Sequence, residues 1–93
     1  MREIEVKITG LIESIPQRIE QLCLSQGLTL TLKGTLAKYP GCVHWHFKNG
    51  RAPGTLEVTW WEREGRLWFK VSARRDAPWI DEVVEKLQEQ FLC

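Results

Sequence analysis

"TLEVTWWEREGRLWFKVSAR", residues 55–74, decides the fold. Leu56, Val58 and Trp60 alternate with Glu57, Thr59 and Trp61; beyond EREG, Leu67, Phe69 and Val71 alternate with Arg66, Trp68, Lys70 and Ser72. A period of two gives an extended strand one apolar face and one polar face, so the stretch predicts a β-hairpin. The short turn sets the register. Trp61 should face Arg66, Thr59 face Trp68, and Glu57 face Lys70, with Trp60 opposite Leu67 and Val58 opposite Phe69 on the other side. A slip by one residue would bury Lys70 and expose Phe69.

The same period continues on the N-terminal side. "LTLTLKGTL" (28–36) and "CVHWHFK" (42–48) both alternate, and "YPG" and "NGRAPG" mark turns between the strands. "REIEVKIT" (2–9) is a further strand, with Ile4, Val6 and Ile8 on one face. Between the first two strands the period changes. Ile15, Ile19, Leu22 and Cys23 recur at helical spacing, Ser14 and Gln17 have the pattern of a capping box, and Pro16 lies in the first turn. "DAPWIDEVVEKLQEQFL" (76–92) closes the chain as a second helix, with Asp76 as the expected N-cap and Ile80, Val83, Val84, Leu87 and Phe91 on one stripe.

The resulting order is β-α-β-β-β-β-α over one domain, residues 1–93. Both helices need a partner for their apolar stripe, and a sheet offers one apolar face. The expected fold is therefore α+β: a five-stranded, largely antiparallel sheet with two helices on one face and the opposite face open. In element order the chain resembles the TATA-box-binding-protein-like folds, which carry helices on one side of a sheet. The resemblance covers the whole chain but rests on no sequence motif, so no functional residue is carried over from it.

Composition is that of a globular domain, at 43% hydrophobic and 27% charged over 93 residues. No apolar run approaches the ~20 residues that cross a membrane, and the alternating N-terminus lacks the apolar stretch of a signal peptide. Cys23, Cys42 and Cys93 are odd in number and far apart, which predicts free thiols and a cytoplasmic location. The net charge of +1 conceals segregation: −1 over residues 1–26, +6 over 27–75 and −4 over 76–93.

Alternation places Lys33, Cys42, His44, His46, Glu57, Trp61, Arg66, Trp68, Lys70 and Arg74 on the open face, and Leu28, Leu30 and Leu32 on the inner one. Outward indoles flanked by Arg and Lys suit stacked bases and phosphates, so the leading expectation is non-enzymatic binding of single-stranded nucleic acid or RNA. Trp61 and Trp68 would stack, Arg66, Lys70, Lys33 and Arg74 would meet phosphate, and His44 and His46 would donate when protonated. A protein partner or homodimer on the same face is the alternative, because interfaces enrich the same residue types. A second alternative is a transition metal on Cys42, His44 and His46, with Glu57 as a fourth ligand. Against it, Cys42 and His46 lie roughly 13 Å apart at Cα on a regular strand. No paired carboxylates, phosphate-binding loop or cofactor motif is present, so neither an enzyme nor a cofactor is expected.

Overall fold

The computed structural model describes residues 2–6, 8 and 14–91. Strands β1 (Arg2–Val6), β2 (Thr29–Gly34), β3 (Val43–Lys48), β4 (Leu56–Trp61) and β5 (Arg66–Val71) form one sheet in the order β1-β5-β4-β3-β2. Every neighbouring pair is antiparallel. Helices α1 (Ile15–Ser25) and α2 (Pro78–Phe91) pack on one face. The α+β architecture expected from the sequence is the one observed, and no helix among the described residues is long and apolar enough to cross a membrane.

The hairpin of β4 and β5 has the expected register, from Trp61 opposite Arg66 to Glu57 opposite Lys70. Its turn is a short 3₁₀ segment, Glu62–Glu64, closed by Gly65 at φ +62°, a conformation that a Cβ disfavours. The inner face contributes Trp45, Phe47, Leu56, Val58, Trp60, Leu67, Phe69 and Val71 to the core. Against it lie Ile15, Ile19 and Cys23 of α1 and the full predicted stripe of α2, all buried. Burial pushes the Cys23 thiol up to about 12.

Neither expected helix cap forms as predicted. Ser14 is the N-cap of α1, but its side chain makes no capping hydrogen bond. Asp76 stands before a helix that begins at Pro78, and its carboxylate instead accepts from Arg2 at 2.8 Å. Arg2 also reaches Asp81 of α2, so the first strand is tied to the last helix. Gly54 is needed for close packing: a Cβ there would lie 2.7 Å from the Cβ of Ala77.

One irregularity re-sorts the edge strand. Leu30 pairs with Phe47 and Leu32 pairs with His46, so Thr31 is an extra residue in β2. Two residues of β2 then span one step of β3, and side chains beyond the bulge change faces. Leu32 therefore points outward and is 46% exposed, contrary to its expected inner position. Lys33 turns inward opposite Trp45 and is lost from the open face. Its ammonium lies 2.6 Å from Glu20 of α1, which also accepts the Trp45 indole N–H at 2.9 Å. Those two donors hold the Glu20 carboxyl below its ordinary range, the lysine first and the indole second.

Candidate metal centre

The outer face is organised in rows that run across the strands. One row reads Glu3, Lys70, Glu57, His46, Leu32, and the next Glu5, Trp68, Thr59, His44, Gly34. Because β1 lies beside β5, Glu3 and Glu5 join the face that the meander alone had made basic. Arg66 pairs with Glu5 at 2.6 Å, and its guanidinium lies 4.8 Å from the Trp68 ring. The row through Lys70 alternates in charge across three strands.

The predicted stacking platform is covered by the chain itself. Residues 35–42, between β2 and β3, bring Tyr39 against Trp61 and Trp68, edge-on, at 5.1 and 4.9 Å between ring centroids. The Trp61 indole N–H donates to the carbonyl of Pro40 at 3.0 Å. Trp68 is only 6% exposed, which corrects its assignment as an accessible ring, while Trp61 is half-buried. The reason is elementary: an indole gains from burial, and the β2–β3 connection folds Tyr39 over the outer face to provide it. Arg74 also departs from expectation. The strand ends at Val71, and Arg74 is exposed in a 3₁₀ turn beyond it.

Three of the expected residues do converge. Nε2 of His44 and Nε2 of His46 lie 3.1 Å apart. Oε1 of Glu57, on the adjacent strand, lies 3.5 Å from the first and 3.6 Å from the second. His44 and His46 share a face because they are two residues apart on β3, and the register sets Glu57 opposite His46. His44 is buried, and His46 and Glu57 are half-buried.

Neighbouring side chains hold these groups in place. Nδ1 of His44 lies 2.8 Å from the hydroxyl of Thr59, itself buried and directly opposite on β4. When Nδ1–H donates to that hydroxyl, Nε2 carries the free lone pair that faces His46 and Glu57. The hydroxyl of Ser72 lies 3.5 Å from Oε2 of Glu57, leaving Oε1 toward the histidines. Burial, followed by His46 and Lys70, lowers the His44 pKa, with Glu57 opposing. The neutral imidazole is therefore favoured, the form that can ligate.

Cys42 is not part of the cluster. It lies before β3, is buried, and its sulfur accepts the Leu36 N–H at 3.3 Å. Two clefts flank the three groups. One of about 350 Å³ lies beneath the β2–β3 connection and the other, about 540 Å³, lies toward β2; His44 and Glu57 line both. No protein-family model, curated protein or solved structure matches this chain, and the resemblance to TATA-box-binding-protein-like folds stays one of element order.

Proposed function

We propose that this domain binds a divalent transition-metal ion of the zinc class through Nε2 of His44, Nε2 of His46 and Oε1 of Glu57. The observation that carries the proposal is the spacing of the three donor atoms, 3.1, 3.5 and 3.6 Å. Donors bound at about 2.0–2.2 Å in a tetrahedral site stand about 3.3–3.6 Å from one another. The donor set, two imidazoles and a carboxylate, suits zinc and its neighbours in the first transition row. At 3.1 Å one imidazole can donate to the other across the same gap. Ligation through both Nε2 atoms would require each neutral ring to carry its proton on Nδ1, a change of tautomer for the donating ring.

The single-strand and protein-partner readings have less support. They retain Trp61, Arg66, Lys70 and Arg74 near solvent, but Trp68 is buried and Lys33 faces the helices. Glu3, Glu5 and Glu57 on the same face oppose a polyanion. Metal binding uses side chains that already converge.

Thermal melts with zinc(II) test the proposal. At free zinc one hundred times Kd, a native-state ligand adds ~2.7 kcal/mol. At about 4–8 °C per kcal/mol, that raises Tm by roughly 10–20 °C for a domain of this size. His46→Ala and Glu57→Gln should each lose most of the shift, and His44→Ala with His46→Ala all of it. Equal shifts in wild type and the double variant, or no shift in wild type, refute metal binding at this site.

A further inference from the structure

Three protein ligands leave a tetrahedral ion with one position for an exchangeable ligand, the arrangement of open rather than closed zinc sites. The cleft of about 350 Å³ beneath residues 35–42 reaches the ion-binding groups directly, since His44 and Glu57 form part of its wall. Its volume lies within the range of small-molecule sites. Tyr39, Trp68 and Leu36 supply apolar wall, and Lys38, Lys70 and Glu3 supply charge. Lys70 holds a central place, as the cross-strand partner of both Glu57 and Glu3.

The electrostatics of this cleft depend on the ion. Without it, the two lysines and two glutamates of the wall cancel. A divalent ion on His44, His46 and Glu57 leaves the same wall with a surplus of two positive charges. At a half-buried site, uncompensated charge of that size attracts an anion strongly. Resting on the metal reading above, we propose that the loaded site binds a small organic carboxylate. One carboxylate oxygen takes the ion's remaining position, the Lys70 ammonium meets the other, and the apolar body lies along Tyr39 and Leu36.

The shape of the cleft favours a carboxylate with an apolar body over a bare inorganic anion. A spherical or fully hydrated anion gains nothing from an aromatic wall, whereas a hydrocarbon body is removed from water there. The β2–β3 connection roofs the cleft with Tyr39, which is itself wedged against Trp61 and Trp68. That wedge makes the cleft largely pre-formed and lowers the cost of ordering it around a ligand.

Cobalt(II) in place of zinc gives visible d–d bands that report both events separately. The bands should appear on loading and then shift saturably with benzoate, more weakly with acetate, and not with the neutral isostere benzamide. Lys70→Met, saturated with cobalt, should show the same bands as saturated wild type but hold benzoate about tenfold more weakly. Bands that form and respond to no carboxylate overturn this proposal while leaving metal binding intact. Failure of the bands to form, with no change from wild type to His46→Ala, defeats the metal reading and this inference with it. Inorganic phosphate binding as tightly as benzoate, or benzoate held equally by Lys70→Met, refutes the assignment to this cleft.

Discussion

Truncating Trp68 distinguishes a covered outer face from an open one. The ring is 6% exposed, with Tyr39 edge-on at 4.9 Å and the Arg66 guanidinium at 4.8 Å. A buried aromatic removes roughly 150–250 Å² from water, which at about 25 cal/mol per Å² sets an upper bound of roughly 4–6 kcal/mol. With Trp68 truncated, the loop that carries Tyr39 keeps its ends in β2 and β3 and its hydrogen bond to Trp61, and its ring can settle partly into the space left by Trp68→Ala. That collapse brings the expected cost to ~3 kcal/mol, the lower end for aromatic truncations. Trp45→Ala, between sheet and helices with 0% exposure, has no loop to fill the gap and should cost ~4–5 kcal/mol. Trp61→Ala, half-buried, loses one hydrogen bond to Pro40 and one edge contact and should cost ~1–2 kcal/mol.

Urea unfolding followed by far-ultraviolet circular dichroism measures all three without depending on the deleted fluorophores, and an unchanged m-value licenses the comparison. A double-mutant cycle between Tyr39→Ala and Trp68→Ala isolates their contact, with an expected coupling of ~0.5–1.5 kcal/mol. Suppose instead that Trp68→Ala costs under ~1 kcal/mol and the coupling vanishes. The loop would then not cover the ring in solution, and the outer face would be the open stacking surface that alternation predicted.

The contact of Glu20 with Lys33 and Trp45 should be visible in acid. Because the folded-state carboxyl is held below its ordinary value of 4.5, its contribution is complete above that pH and fades as pH falls through the depressed folded value. Glu20→Gln should cost ~1 kcal/mol at pH 7; a wild-type advantage that stays constant down to pH 3 argues against the ion pair. Cys23, raised to about 12 by burial, should resist iodoacetamide at pH 8 in the native protein and react only after denaturant is added. Rapid native labelling of Cys23 by peptide mapping would contradict its place in the core.

The β4–β5 hairpin was readable because a short turn joins two strands of clear period two, so turn length and hydrophobic alternation determine the same register. The apolar stripe of α2 was readable for the corresponding helical reason. The bulge at Thr31 was not. "LTLTLKGTL" alternates without interruption, and nothing local says that an extra residue enters at Thr31. The choice is made by tertiary energetics: turning Lys33 inward gives Glu20 a partner and satisfies the Trp45 indole through the same carboxylate. Exposing Leu32 on an edge strand is the accompanying cost.

The candidate centre was half legible for a related reason. Two histidines at i and i+2 on one strand face announce themselves, but the third group depends on pairing between β3 and β4. The connecting "NGRAPG" segment is too long and irregular to set that pairing. Once His46 stands opposite Glu57 and His44 opposite Thr59, the two adjacent rows together supply two imidazoles, a carboxylate and a hydroxyl that orients one imidazole. Cys42 looked equivalent to the histidines on a flat strand. It leaves the row because the chain turns before β3 begins, and its thiol is taken up by the backbone of Leu36. The charge of the face was hidden by topology rather than by composition. The last strand of the meander pairs with the first strand of the chain, and this sets Glu3 beside Lys70 and Glu5 beside Trp68. A face counted as basic along the meander thus becomes balanced across the sheet, and a balanced face with converging imidazoles suits a small cation better than a polyanion.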